Sequence, residues 1–434
     1  MKRKWFAFFI CLLPVMIWPT PSPAFDPGKD ITLHGLMDAR FTRYDSTRTW
    51  LTAGMGKTRY GHDPASPDSD TSPDLAEIAL EARARFGWAW TGNLVLKYDP
   101  EKDKTPVDVT EAFLAYKSLP NPKGLRIKSR LGAFFPQVSL ENHGRAWTST
   151  YAITPSAINS WIGQEVRTIG AELTLQTPGE NLGPAHWNLD DWDVALLGAA
   201  FMANDPAGTY LAWQGWSLHD RKAGLFDRMP LPPLDSIGPG GTFDRQVPWI
   251  EPFHEIDDRV GFYTGLNIHH RDHGSLHLLY YENNGDGGAF DGEQYAWDTR
   301  FLSIGTRLFL PLELEFLAQY MTGDTAMGPA DEVNVDFWSF YTLLTRAFGD
   351  RHRFTLRFDR FTTHDRDALS GDNNDESGWS WLAAWTFDPA AGHRITTEYL
   401  SVTSDRPERA RYGWDSDVHE TCVQVSYQFF FDLP

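Results

Sequence analysis

The segment 75-LAEIALEARARF-86 decides the fold, because apolar and charged residues alternate along it. Its apolar face runs through every second residue from Ala76 to Phe86. The opposite face carries the charged residues Glu77, Glu81, Arg83 and Arg85. Successive side chains of a β-strand point to opposite sides of the sheet, so this pattern predicts a strand with one apolar face.

One-faced segments of this kind recur along the chain. We count about sixteen, each near the roughly 9–11 residues that a tilted membrane strand needs. They begin near Ile31, Leu75, Trp88, Val107, Leu125, Arg167, Trp192, Arg259, Ser275, Trp297, Leu312, Asp336, Arg353, Trp379, Arg394 and Thr421.

The connections between these segments alternate between long and short. Residues 45–74 and 136–165 form long connections, whereas Gly87 and residues 271–274 form tight turns; residues 178–191 fit the rhythm least well. A membrane barrel places every second connection outside the cell, whereas a water-soluble β-sandwich has no reason to alternate. The sequence therefore predicts an all-β, transmembrane, antiparallel up-and-down barrel of about 16 strands (16–18), with long external loops and short periplasmic turns.

The first 24 residues have the layout of a cleavable signal peptide. Three basic residues precede an apolar run from Trp5 to Trp18, and 22-SPA-24 supplies the small residues that a signal peptidase reads. We expect residues 1–24 to be removed after export. Residues 25–434 should then form one outer-membrane barrel domain, because a barrel closes only when its first and last strands pair.

The composition restricts the function. The formal charge is −19, and loss of the three basic residues of the signal makes it −22, so nucleic acid is an improbable partner. Beyond the signal, no apolar run is long enough for a membrane helix, a criterion that a barrel does not have to meet. Of the two cysteines, Cys11 lies in the signal and only Cys422 remains, so no internal disulfide can form.

The chain ends in a further alternating segment. Apolar residues at every second position from Val423 to Phe431 resemble the C-terminal recognition strand of outer-membrane proteins, which ends in an aromatic residue. This sequence departs from that pattern, since Asp432, Leu433 and Pro434 follow Phe431.

A local motif carries a family resemblance. The stretch 131-LGAFFP-136 is followed by 139-SLEN-142, and a strand ending in Gly-x-Phe-x-Pro before Ser-x-Glu-Asn resembles the phosphate-selective (O/P-type) group of Gram-negative outer-membrane porins. The resemblance covers about a tenth of the chain. It implies a channel, often trimeric, with a constriction loop folded into the pore, here residues 136–165. The dense lysine ladder of the phosphate-binding members is missing from this sequence, so phosphate selectivity is not carried over.

Candidate functional residues follow from the alternation. Charged side chains on the lipid face would each cost roughly 2–4 kcal/mol at the membrane midplane, so mid-strand charges should line the lumen. The predicted pore-lining residues are Glu77, Glu81, Arg83, Arg85, Arg126, Lys128, Arg130, Arg353 and Arg357. The predicted constriction loop contributes Glu141, His143, Arg145, Trp147 and Trp161. Arg126, Lys128 and Arg130 form the longest row of one charge sign, which favours a local track for anions.

The sequence therefore favours an outer-membrane porin for passive diffusion of small hydrophilic solutes or ions through a lumen of mixed charge. Its expected partners are outer-membrane lipid, lipopolysaccharide, its solutes and two further copies in a homotrimer. No cofactor or metal site is predicted. A dedicated polysaccharide export barrel of the alginate type is an alternative with an Arg-rich lumen. An outer-membrane barrel enzyme is a weaker one, because His143 near Ser139 and Ser149 has no recognised motif around it.

Overall fold

The computed structural model describes residues 30–61, 71–101, 105–183, 189–367, 369 and 371–433. The predicted signal peptide lies outside these residues. The strands, in chain order, are β1 Ile31–Asp45, β2 Thr71–Phe86, β3 Trp90–Tyr98, β4 Val107–Lys117, β5 Arg126–Phe134, β6 Thr168–Pro178, β7 Trp192–Met202, β8 Met229–Pro230, β9 Trp249–Ile250, β10 Gly261–His270, β11 Gly274–Glu282, β12 Asp298–Leu310, β13 Leu314–Met327, β14 Val333–Phe348, β15 His352–Asp365, β16 Glu376–Ala390, β17 His393–Asp405 and β18 Asp417–Leu433. Two helices are α1 Ala157–Glu165 and α2 Thr209–Trp213.

Sixteen of the described strands form one closed antiparallel barrel, and β8 and β9 form a separate hairpin. Every barrel strand pairs with its neighbours in sequence, and β1 closes the sheet against β18. The predicted fold class is therefore confirmed. The residues beyond the terminal aromatic extend this closure, since Leu433 pairs with Leu33 and Asp432 with His34.

The connections divide the barrel into two ends. At the loop end lie L1 (residues 46–61 of the described chain), L3 (135–167) and L4 (203–260), together with shorter loops. At the turn end lie tight turns such as residues 87–89, 271–273 and 349–351. Residues 178–191, the segment that fits the predicted rhythm least well, connect β6 to β7 at this end, and residues 184–188 of that segment lie outside the described residues. Among the described residues, no helix is long and apolar enough to cross a membrane.

The outward face of the barrel is apolar. Large side chains such as Leu196, Leu356 and Trp381 expose more than half of their surface there. Their neighbours in sequence point inward, as Arg357 does beside Leu356 with 1% of its surface exposed. Alternation in the sequence therefore becomes a sheet that presents hydrocarbon outward and mostly polar or packed side chains inward.

The inner wall has two unlike halves. From β10 to β18 many inward residues are apolar and fully buried, for example Phe337 and Leu343 on β14. From β1 to β6 the inward residues are largely charged, for example Arg40, Glu77 and Lys97. The loops L3 and L4 lie against these halves and define the candidate site.

Candidate functional site

L3 begins at the motif that carried the family resemblance. Gly132 adopts a φ of 130°, and a Cβ there would lie 2.3 Å from the carbonyl oxygen of Ala112 on β4, so only glycine fits. Ser139 then turns the chain, because its Oγ accepts hydrogen bonds from the backbone N–H groups of Glu141 (3.1 Å) and Asn142 (2.9 Å). The motif thus fixes how the chain leaves β5.

Glu141 anchors L3 to the inner wall. Its carboxylate accepts hydrogen bonds from the backbone of Ser156 (3.1 Å) and the amide of Asn159 (2.9 Å), and it lies 3.4 Å from the Nη1 of Arg357. The Nε of Arg357 also donates to Asp359 at 2.8 Å. All three charged side chains are fully buried. The sequence predicted Glu141 in the constriction loop and Arg357 in the pore lining, and the structure brings the two together as one ion pair.

The rest of L3 contacts strands on several sides of the barrel. The hydroxyl of Tyr151 donates to Glu315 on β13 at 2.5 Å, and the backbone of Ile153 donates to Glu398 on β17 at 2.7 Å. At its other side, the backbone of Ala146 donates to Glu81 on β2 at 2.5 Å. A segment that reaches β2, β13 and β17 of one closed barrel must run through its interior.

The predicted L3 residues have different surroundings. Trp161 on α1 packs edge-on against Phe301 and Phe337 of the apolar wall, at ring-centroid distances of 5.4 and 5.3 Å. Trp147 stacks on Phe135 at 4.0 Å. His143 is exposed. Arg145 reaches the turn-end rim, where its guanidinium donates to the backbone carbonyls of Gly35 and Phe431 and pairs with Asp432 at 2.5 Å.

L4 also enters the barrel, which the sequence interpretation missed. Trp216 packs against Trp161 of L3 and donates through its ring N–H to the carbonyl of Thr362 on β15 at 3.1 Å. The hydroxyl of Ser160 in α1 donates to the carbonyl of His219 at 2.9 Å. Residues 209–223 are buried almost without exception. A signal was available, since this longest connection contains several tryptophans where a solvated loop would be polar.

A cation lies between the two loops. Arg167 follows α1, and its guanidinium carbon lies 3.4 Å from the ring centroid of Phe135. Its Nη2 donates to the carbonyl of Ala223 in L4 at 2.8 Å. Burial lowers the pKa of Arg167 to about 9, although Glu111 and Asp108 oppose that shift. Arg167 therefore ties L3 to L4 where both approach β4.

L1 holds L4 from the loop end. The Nζ of Lys57 donates to the carbonyl of Gln214 at 3.0 Å and pairs with Glu376 on β16. Burial lowers the pKa of Lys57 to about 7, against the attraction of Glu376. The backbone N–H of Leu218 donates to the carbonyl of Lys57 at 2.7 Å.

The exposure of the predicted pore-lining residues on β2 and β5 depends on their position between the loop end and the turn end. Glu77, toward the loop end, is 1% exposed beneath L4, whereas Arg83 and Arg85, toward the turn end, are exposed. On β5, Arg126 and Lys128 are half-buried and have no carboxylate within ion-pair distance among the described residues. They face inward with Arg83 and Arg85 and form, at the turn end, what we call the basic vestibule: Arg83, Arg85, Arg126 and Lys128.

The remaining predicted residues are paired. Arg130 makes a two-pronged hydrogen bond to Glu172 on β6, at 2.9 and 2.7 Å. Arg353 is partly exposed, 3.9 Å from Glu315. Among the predicted cations, Arg130 and Arg357 thus lie in ion pairs toward the middle of the barrel, whereas Arg126 and Lys128 are accessible to water at the turn end.

No family model matches the chain, and no curated protein matches it. Solved structures with the same fold include a loop-deletion mutant of OmpT, an outer membrane protein of Vibrio cholerae, with a TM-score of 0.50 at 8% identity, covering 92% of this chain and 99% of that one. The outer membrane channel DcaP of Acinetobacter baumannii has a TM-score of 0.54 at 9% identity, covering 93% of this chain and 97% of that one. At such identities the likeness shows the fold, a closed 16-stranded barrel over nearly the whole chain.

Proposed function

We propose that this protein is an outer-membrane channel of a Gram-negative cell, through which small hydrophilic solutes or ions diffuse. The observation that carries the proposal is the division of one closed sheet into an apolar outward face and a charged inward wall from β1 to β6. A barrel satisfies all its backbone hydrogen bonds without an edge, and an apolar exterior suits it to lipid.

The orientation follows from the connections. We place the loop end outside the cell and the turn end, with both termini, at the periplasm, where the predicted signal peptide would deliver the chain. Aromatic side chains at the turn end, such as Phe86, Trp88 and Trp385, are exposed and suit the membrane interface. Outer-membrane lipid and lipopolysaccharide would surround the outward face.

L3 is the proposed constriction. Its contacts with β2, β13 and β17 support a loop that narrows the lumen, and Glu141 with Arg357 would hold it in place. The basic vestibule supports a preference for anions at the periplasmic mouth, because exposed cations of one sign attract them. The resemblance to phosphate-selective porins supports only the placement of L3, since these cations lie on two strands near the mouth and form no dense ladder.

A homotrimer is the proposed assembly. The outward faces of β5, β6 and β7 carry small or aliphatic residues in mid-strand: Leu131, Ala133, Ala171, Gly198 and Ala200. The outward faces of β14, β15 and β16 carry aromatic ones: Trp338, Phe340, Phe358, Trp381 and Trp385. A flat aliphatic face suits close contact with another copy, and light scattering of the detergent-purified protein, corrected for bound detergent, measures its mass.

Conductance of the purified protein in a planar bilayer tests the channel. We expect discrete conductance steps, and a reversal potential under a salt gradient that favours anions. A folded barrel that gives no current, in the wild type and in variants of both inward loops, would overturn the proposal.

A further inference from the structure

L4 places three consecutive charged residues against the charged half of the inner wall. We call residues 217–223 the L4 strap. Its ends are held by backbone hydrogen bonds, from Leu218 to the carbonyl of Lys57 in L1 and from Ala223 to the carbonyl of Gly163 in L3. Between these points lie Asp220, Arg221 and Lys222, all inside the barrel.

Each charge of the strap pairs with an opposite charge on a barrel strand or in another loop. The carboxylate of Asp220 lies 2.5 Å from the Nη2 of Arg40 on β1 and 3.1 Å from the Nη1 of Arg59 in L1. The Nζ of Lys222 lies 2.8 Å from the Oε2 of Glu77 on β2.

Arg221 completes the match. Its Nε donates to the carboxylate of Asp99, just beyond β3, at 2.9 Å. Arg40, Arg59, Glu77 and Asp99 are each at most 5% exposed. The strap therefore covers the charged wall on β1, on β2 and at the end of β3, on the loop-end side of Arg83 and Arg85.

The strap differs from L3 in what holds it. α1 of L3 is held by Trp161, Ile158 and Ile162 in an apolar cluster, and moving it into water would expose that surface. Within the strap only Leu218 belongs to that cluster, and the centre of the strap, Asp220 to Lys222, is held by ion pairs, whose attraction is offset by the cost of removing both charges from water. When the strap leaves and water enters, both partners recover their hydration. Of the two inward loops, the strap is therefore the part that can be displaced.

We propose that the L4 strap is a displaceable plug, and that its charged side chains occupy the place where a solute binds when the strap moves away. The place it covers would bind small molecules that carry a carboxylate together with an ammonium or guanidinium group, such as amino acids and short peptides. Arg40 and Arg59 would take the carboxylate, as they take Asp220. Glu77 and Asp99 would take the cation, as they take Lys222 and Arg221. This proposal rests on the channel function above and adds a solute class and a gate to it.

The first test removes the charges of the strap. In a planar bilayer we expect the variant Asp220→Ala/Arg221→Ala/Lys222→Ala to conduct at least several-fold more than the wild type. Arg228→Gln, which breaks a partly exposed ion pair with Glu251 elsewhere in L4, is the matched control and should behave as the wild type. Equal conductance of wild type and triple variant would overturn the plug and leave the channel standing. Absence of current from both would overturn the channel itself.

The second test concerns the solute class. Free arginine, added at millimolar concentration to the triple variant, should reduce its current by occupying the vacated place. Acetate and methylguanidinium, added together at the same concentration, should not reduce the current. In arginine, binding of one charged group raises the effective concentration of the other, and two separate ions lack this effect. If the two additions reduce the current equally, the proposed solute class is wrong.

The third test keeps every charge of the strap and instead locks the strap to L1 with a disulfide. Thr58 and Leu218 are partners in an isolated parallel bridge, a separation of about 5 Å that a disulfide can span. We expect Thr58→Cys/Leu218→Cys to conduct less than the wild type when oxidised and to regain wild-type current on reduction, whereas each single variant should not respond to reductant. Oxidised and reduced protein with equal current would contradict a moving strap.

Discussion

The two halves of the inner wall come from the same alternating pattern, yet one half packs against L3 and the other carries many of the charges of the lumen. From β10 to β18 many inward side chains are apolar and pack against L3, as Phe337 and Leu343 do with at most 1% exposure. From β1 to β6 many of them are charged, and L4 covers only their loop-end part. The same strand, β2, carries the buried Glu77 and the exposed Arg83.

A charged side chain that faces the lumen therefore lines the pore only if no loop covers it. Arg357 is the clearest case, since it lies in the apolar half, is 1% exposed and binds Glu141 of L3. Arg126 on β5 faces inward too, yet stays accessible to water. What separates them is whether a loop covers the side chain, and that depends on tertiary contacts.

Breaking the ion pair in the apolar half should have the largest effect. Glu141→Ala leaves the buried guanidinium of Arg357 without one of its two carboxylates and removes the acceptor of Ser156 and Asn159. We expect a loss of about 3–5 kcal/mol in the free energy of unfolding, measured by urea titration in detergent.

Two variants control that experiment. Glu141→Gln keeps hydrogen-bonding capacity and should lose less. Arg353→Ala removes a partly exposed cation 3.9 Å from Glu315 and should cost at most about 1 kcal/mol. If Glu141→Ala unfolds at the wild-type midpoint, L3 is not held by this pair.

A smaller effect is expected where L3 meets β13. Tyr151 is 2% exposed, and its hydroxyl donates to Glu315 at 2.5 Å. Tyr151→Phe should cost about 1.5–3 kcal/mol, the range for a hydrogen bond to a charged group. Tyr427→Phe removes an exposed hydroxyl that bonds to His393 and is the control. Equal unfolding midpoints for the two variants would show that Glu315 is satisfied without Tyr151.

In the charged half we expect substitutions to change ion selectivity instead of stability. Arg126→Gln/Lys128→Gln removes two accessible cations of the basic vestibule, so the ratio of anion to cation permeability should fall several-fold. Arg130→Gln should change that ratio less, because Glu172 already neutralises Arg130. Reversal potentials under a salt gradient measure both. The opposite ranking would place the track at the middle of the barrel.

The sequence predicted the barrel well because strand alternation is local. The sixteen segments correspond to the sixteen barrel strands, with boundaries displaced by a few residues; the strand expected near Trp379, for instance, begins at Glu376. The lumen is different, because its contents depend on contacts between distant residues. Glu141 and Arg357 are 216 positions apart, and no local pattern joins them. The insertion of L4 was missed for the same reason, although its tryptophans were visible.

The smallest expected effect is a pH dependence at the two ends of L4, residues 203–208 and 254–257, which we call the root of L4. Carboxylate oxygens of Asp205, Glu255 and Asp257 lie within 4.8 Å of one another. Burial, with Glu255 and Asp257 nearby, raises the pKa of Asp205 to about 7, although backbone N–H groups of Ile256 and Asp257 oppose the shift. The folded root therefore holds a proton that the unfolded chain would release near pH 4.

Stability from such a raised carboxyl pKa is greatest at low pH and is lost as the pH rises through about 7. His254, whose pKa is raised by its hydrogen bond to Asp291, acts in the same direction. We expect amide hydrogen exchange of residues 203–208, after correction for the intrinsic pH dependence of exchange, to be less protected at pH 8 than at pH 5.5. Asp205→Asn, which is neutral at both values, should remove most of that difference. A difference that persists in full in Asp205→Asn would assign the pH dependence to Glu255 or His254, whose pKa values are also raised, instead of Asp205.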